Sequence, residues 1–251
     1  MLKLLLALCM TLAGAGALAQ KTIRLNVAPG GFPPYTIVDK SQPASGLMVE
    51  LLSQIAAKAG YKVITQEIPR NRVESMMRQN ALDASPRARE WTRAPNDFLF
   101  SEPVLQVRDV VLSRKNAPFA YSTPESLFGK RVGTVLGFVY PVLEPYFAKK
   151  QITRVDVASE KSLLAMLNLH RVDVVLINEF SALWHINSEN WGYTFAYSKN
   201  EVQSYPYRMM FGKKWQPFVQ VFNRELAAMK KDGSLDRLIQ KYQPEKTVQQ
   251  Q

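Results

Sequence analysis

The sequence predicts an α/β protein of two lobes joined by two extended crossings, on three observations. Strand-like and helix-like segments alternate from Lys21 to about Val110. The same alternation restarts at about Arg114 and runs to Lys199. Two extended stretches, Val104 to Ser113 and Tyr205 to Phe211, follow the first series and the second. Apolar residues recur at every second position on a half-buried strand and every third or fourth on a helix, which separates the two element types. Two extended segments between two α/β units imply hinge strands, with a cleft between the lobes.

The chain opens on a leader. Met1-Leu2-Lys3 is a short basic start, Leu4 to Leu12 is apolar, and Ala17-Leu18-Ala19 ends it with small residues. That order is a secretory signal peptide, so cleavage is expected after Ala19 and the mature product in a bacterial periplasm. The apolar run is shorter than the ~20 residues a membrane span needs. Thr22 to Ala28 then alternates Ile23, Leu25 and Val27 against Thr22, Arg24 and Asn26, a strand with one buried face. It runs into Pro29-Gly30-Gly31-Phe32-Pro33-Pro34-Tyr35, where proline fixes the backbone and glycine frees it. Phe32 and Tyr35 are thereby held where open α/β sheets place ligands, and either wall a ligand there or pack inward. Gly46 to Ala59 reads as a helix with Leu47, Leu51, Leu52, Ile55 and Ala56 on one face, stopped by Gly60. Tyr61 to Ile68 is a second strand. Pro69 opens a helix from Arg70 to Asn80 with Val73, Met76 and Met77 as its buried stripe. Arg70 and Arg72 fall in its first turn, where the helix dipole disfavours cations; either solvent or a nearby anion offsets them.

Asp83 ends this run, and a loop is expected from there to Pro103. The stretch Leu82 to Pro103 carries Arg87, Arg89 and Arg93, with Arg108 just downstream, beside Trp91 and Glu90. A loop dense in arginine between a strand and an extended crossing is suited to holding an anion. Beyond the first crossing, Asn116-Ala117-Pro118 is a break and Ser122 to Phe128 a short capped turn. Arg131 to Leu136 is a strand that ends in Gly137, and Phe138 to Lys150 a helix interrupted by Pro141 and Pro145. Arg154 to Val157 is a strand, and Ser159 to His170 a helix capped by Ser159 or Glu160. Asp173 to Ile177 is a continuous apolar strand of the kind buried on both faces. It delivers Asn178 and Glu179 to its C-terminal end, and a helix runs on to Ile186. Tyr193 to Tyr197 is a further strand; Pro217 to Lys231 and Ser234 to Tyr242 are helices separated by Asp232-Gly233. Residues 246–251 carry no core signal and are expected to be disordered. The expected lobes are 20–110 with 205–245, and 111–204.

Cys9, the one cysteine, lies in the leader, so the mature chain is held by its core without disulfides. A monomer is expected. The formal charge of +11 comes from 32 Lys and Arg scattered among 21 acids, with no long basic run. That pattern suits a basic surface drawing in small anions and excludes nucleic acid as the expected partner. His170 and His185 are far apart, with no second ligand at metal spacing. No nucleophile elbow, phosphate-cradling glycine loop or thiol stands in the mature chain, so neither a cofactor nor catalysis is expected.

Several motifs recur in a fixed order: Phe32-Pro33-Pro34-Tyr35; Gly46-Leu47-x-Val49-Glu50-Leu51-Leu52; the turn from Asn80 to Asp83; an arginine before Phe100-Ser101-x-Pro103. They continue with Leu127-x-Gly129-Lys130-x-Val132-Gly133, Val172-Asp173-Val174-Val175, and Lys231-Asp232-Gly233-Ser234-Leu235-x-x-Leu238-Ile239-x-Lys241-Tyr242. In order and spacing, over nearly all of the mature chain, they resemble the bacterial extracellular solute-binding proteins, family 3. These are the polar amino-acid type of periplasmic receptor that serves ABC importers.

The resemblance implies the two-lobed type II periplasmic-binding-protein fold, closing on a small solute and handing it to a membrane permease. Members hold the solute's carboxylate with an arginine from the loop before Phe-Ser-x-Pro, which matches Arg93 best, with Arg89 as the alternative. The planar guanidinium fork pairs with both carboxylate oxygens. Phe32 stands at the family's stacking aromatic, with Tyr35 beside it. Gly137, Phe138 and Val139 stand where backbone N–H groups at a helix start bind the carboxylate. Many members carry an Asp for the solute's amino group where this chain has Asn178 followed by Glu179. Ser85-Pro86-Arg87 replaces small and hydroxyl residues that often read the same group. The expected site is thus Phe32, Tyr35, Arg70, Ser85, Arg89, Arg93, Gly137, Phe138, Val139, Asn178 and Glu179, for an amino acid or a related acid. A ligand sensor docking on a membrane receptor, or a dehydratase-like enzyme using Glu90 or Glu179, are the alternative readings.

Overall fold

The computed structural model describes residues 21–189, 191 and 194–244. The expected leader, the tail and the strand start at Tyr193 lie outside them. The first half contains β1 (Lys21–Val27), a hairpin of β2 (Ile37–Asp39) and β3 (Gln42–Ser45), α1 (Leu47–Lys58), β4 (Tyr61–Glu67), α2 (Arg70–Arg78) and β5 (Ala84–Ala88). β6 (Phe98–Phe100) and the first crossing, β7 (Leu105–Arg114), follow. The second half holds β8 (Arg131–Val135), α3 (Glu144–Ala148), β9 (Thr153–Val157), α4 (Glu160–Asn168), β10 (Val174–Asn178) and α5 (Glu179–Ser188). The long strand β11 (Phe195–Gly212) returns to the first half, which α6 (Gln216–Lys231) and α7 (Ser234–Tyr242) complete.

The predicted periodicities decide what is buried. The alternation in β1 puts Ile23, Leu25 and Val27 in the core, and β1 pairs in parallel with β4 along its whole length. The apolar face of α1 is fully buried. Its start is closed over by the proline-rich loop. At Gly46 (φ 110°) a β-carbon would lie 2.7 Å from the Tyr35 carbonyl oxygen, so glycine lets that loop rest on the helix.

Three expectations are corrected. Residues Ala84 to Ala88 form a buried strand, not a loop, antiparallel to β11 from Ala84 opposite Phe211 to Ala88 opposite Tyr207. Pro86 withholds a backbone N–H, yet β1 pairs with β5 at Leu25 and Ala84 alone. From Pro86 onward that side of the strand needs no ladder N–H. The helix expected over 138–150 is confined to Glu144–Ala148, because Pro141 withholds an N–H and Pro145 fits a first turn. The strands expected at 193–197 and 205–211 are one strand, β11, carried through register shifts between Tyr197 and Gln203. There Ser198 Oγ accepts from Val111 N–H and donates to the Asn200 carbonyl.

The strands run β4-β1-β5-β11-β7-β10-β8-β9 across one sheet, with β6 also on β11. Core membership changes along the two crossings. Val104 and Val107 of β7 belong to the first half's core, and Val110 and Leu112 to the second's. On β11, Phe195 and Tyr197 belong to the second half and Tyr207, Met209 and Phe211 to the first. The changeover falls at 108–109 and near 203–204, where Asp109 and Gln203 are ladder partners.

Candidate functional site

β1 and β5 part at their C-terminal ends, and the loop after β1, the start of α2 and β5 meet there. This is the crevice where open α/β sheets place ligands. The turn after β8 closes it from the other half. Phe32, Arg70, Arg87, Trp91, Asp109, Gly137, Phe138 and Val139 enclose about 10 Å³, room for one water. An adjoining space of the same size is lined by Asn26, Ser85, Pro86 and Tyr207 together with Phe32, Arg70 and Arg87.

The halves touch around this space. The Arg70 guanidinium lies over the Phe138 ring at 3.8 Å and near Phe32 at 5.2 Å. Phe32 meets Phe138 edge-on at 5.9 Å. Gly137 (φ 80°) makes the turn, and its β-carbon position falls 3.8 Å from the Arg70 β-carbon, so the backbone passes close to the arginine. Tyr35 is buried and donates its hydroxyl across to Asn178 Oδ1 at 3.1 Å.

The two arginines are bound differently. Arg87 is buried; it donates to the Trp91 carbonyl at 2.6 Å and lies 3.5 Å from Glu74 Oε1. Burial, and next the Arg70 charge, pull its pKa down to about 10, so it stays cationic at neutral pH. Burial also lowers Arg70, and no carboxylate among the described residues lies within ion-pair distance of it. Arg70 Nε, Arg87 Nε and Trp91 Nε1 are all buried donors without a partner. Asp109 is the acid of the cavity. Burial pushes it up to about 6, with its Gln203 hydrogen bond opposing the rise.

Of the expected residues, Phe32, Arg70, Ser85, Gly137, Phe138 and Val139 come together at these two spaces. The Phe138 N–H closes a turn onto the Val135 carbonyl, which leaves Gly137 and Val139 as candidate backbone donors. Arg89 and Arg93 are exposed and line neither space. Arg89 donates to Asn96 Oδ1, and the Arg93 N–H to Glu74. Asn178 caps α5, accepting from Phe180 and Ser181 N–H while its amide donates to the Arg108 carbonyl. Glu179 pairs with Arg108 at 3.6 Å. Arg87, Trp91, Asp109 and Tyr207 were missed as site residues. Asp109 carried a legible signal, an acid beside Arg108 within the otherwise apolar stretch Val107 to Leu112.

Comparison with known proteins agrees with this architecture. The sequence profile of the bacterial extracellular solute-binding proteins, family 3, matches residues 25–245. A probable histidine-binding protein of Campylobacter jejuni is 24% identical over 89% of this chain and 86% of its own. The histidine-binding periplasmic protein of Escherichia coli K12 is 21% identical over 96% of this chain and 97% of its own. An ancestral arginine-binding protein, solved with arginine bound, superposes with a TM-score of 0.74 at 23% identity, covering 88% of this chain and 97% of that one. The fold is the two-lobed α/β periplasmic-binding-protein type, with β7 and β11 as its crossings. By its family profile, its fold and its full-length relatives, this chain belongs to the bacterial extracellular solute-binding proteins, family 3.

Proposed function

We propose that this chain is a periplasmic receptor for a small amino-acid-like carboxylate, delivering it to the permease of an ABC importer. The observation that carries the reading is the set of three unpartnered buried donors, Arg70 Nε, Arg87 Nε and Trp91 Nε1, around one space between the halves. Buried donors without acceptors are costly, and a carboxylate satisfies several at once. Arg70 and Arg87, in place of Arg93, are the anchors in this reading. Gly137 and Val139 add backbone donors from the second lobe, and Phe32, Phe138 and Trp91 form the aromatic walls.

The switch of core membership near 108–109 and 203–204 supports lobes at 20–110 with 205–245 and at 111–204. About 10 Å³ admits no amino acid while the halves touch, so uptake requires the lobes to part. The solute favours the closed form to the extent that it binds both lobes there and one lobe in the open form. Its histidine-binding relatives and the arginine-bound neighbour support histidine and arginine as first probes.

The test is a thermal-shift screen of residues 20–251 against amino acids and amine-free carboxylic acids, followed by titration calorimetry. A ligand that binds the folded form alone raises the melting temperature with its concentration. A carboxylate-bearing solute should do so, and Arg70→Ala should abolish the shift. A screen in which no carboxylate-bearing solute binds, or undiminished binding by both Arg70→Ala and Arg87→Ala, rejects the reading.

A further inference from the structure

The side chain of Asn178 is occupied: its oxygen accepts from Tyr35, Phe180 and Ser181, and its amide donates to Arg108. Directly opposite it in the β7–β10 ladder stands Asp109, 8% exposed and lining the cavity. Gln203 Nε2, its partner on β11, donates to Asp109 Oδ2 at 2.7 Å. That bond orients the carboxylate without neutralising it. Among the described residues Asp109 has no cation within ion-pair distance, although Arg70 lines the same cavity.

A half-buried guanidinium whose Nε is buried without an acceptor, and a buried carboxylate held apart from it in one cavity, are each costly. A solute with opposite charges satisfies both. We propose that Asp109, on the crossing strand β7, selects for a cationic group on the solute, so that the occupant is a zwitterion with its carboxylate toward Arg70 and its ammonium toward Asp109. The proposal rests on the carboxylate reading above and deepens it. Asp109 stands where the two cores change over, at the end of the first lobe's segment, so it sits at the floor of the cleft. Its ionised form, which the proposal requires, prevails above about pH 6.

The experiment pairs common L-amino acids with their counterparts lacking the α-amine. Dissociation constants are measured at pH 8 on the mature wild type and on Asp109→Asn. The wild type should prefer the amine-bearing member by on the order of 100-fold, the scale of a buried charge pair. Asp109→Asn should cut that preference below about 10-fold while the amine-free member binds both proteins alike. If an amine-free acid binds the wild type as well as its amino acid does, or if Asp109→Asn weakens both members equally, Asp109 loses this role and the carboxylate site stands. If no member binds the wild type, both readings fall together. Should Asp109→Asn not fold, the pH dependence of the wild-type preference decides: it should fall as pH drops below about 6, and a preference unchanged between about pH 8 and about pH 4.5 overturns the proposal.

Discussion

Arg70 and Arg93 differ in burial, and burial sets what an arginine contributes to a carboxylate site. A guanidinium desolvated against Phe138 and Phe32 has little competing water, whereas the exposed Arg93 keeps its own. Arg70→Ala should therefore weaken binding of a carboxylate solute by roughly 30-fold or more, from about 2–5 kcal/mol for one half of a buried charge pair. Arg93→Ala should change it by less than about 3-fold, within the scatter of surface charges. Titration of both variants checks the order; the reverse order would return the anchor to Arg93. The sequence pointed to Arg93 because a motif singled out the loop before Phe100. The choice among Arg87, Arg89 and Arg93 was not, because it depends on β5 and its pairing with β11, which Pro86 disguised.

At the scale of elements, the first half is tied together by Asp83, at the turn from α2 into β5. Its buried carboxylate accepts from the Arg24 N–H and Nε on β1, and from Lys214 Nζ and Trp215 Nε1 just before α6. Burial alone would raise its pKa, but these donors outweigh it and hold the group well below the usual carboxylate range. A depressed folded pKa gives stability that is fully present above the unfolded value near 4 and lost as pH falls below it. Asp83→Asn should lower unfolding free energy at pH 7 by about 3 kcal/mol, the scale of a broken buried pair. It should also flatten the acid limb of a urea-unfolding series. A wild-type acid limb that survives the substitution would assign it to other carboxylates.

Closure is a property of the whole molecule. The Tyr35–Asn178 hydrogen bond joins the two halves, and the Asn178 cap bonds survive its loss. Tyr35→Phe should remove about 1 kcal/mol from the closed form and move the open–closed ratio about 5-fold, with an increase in small-angle scattering radius of gyration. No change in the radius would mean that the ring contacts alone hold closure. The hinge carries a second dependence. Asp109 lines one cavity with Arg70 from α2, accepts from Gln203 of β11, and lies within electrostatic reach of Glu160 from α4 and of Tyr35, Tyr140 and Tyr205. Burial raises its folded pKa to about 6 from 3.8, so the folded state binds the extra proton between those values. Stability of the solute-free protein from this group should fall as pH rises through that window, by about 3 kcal/mol in total. Denaturant melts from pH 4 to pH 8 should show the fall in the wild type and its loss in Asp109→Asn.

The sequence by itself determined most of the elements and pointed to the family. Period-2 and period-3.6 patterns, glycine stops and a run of ordered motifs are local properties, and β1, α1, β4, β10, α6 and α7 follow from them. It also placed Phe32, Arg70 and the turn at Gly137 to Val139 among the candidates: Phe32 by its place after the first strand, Arg70 by its charge in the first turn of α2, and Gly137 to Val139 by the family resemblance. What the tertiary structure decided is which side chains share one space. The pairing of β5 with β11 buried Arg87 in place of Arg93, and the changeover of the cores along β7 brought Asp109 to the cleft floor. Asn178 was turned to capping and to Tyr35. Those outcomes depend on residues roughly 60–140 positions apart meeting across the sheet, and chain-local periodicity carries no record of such distant pairings.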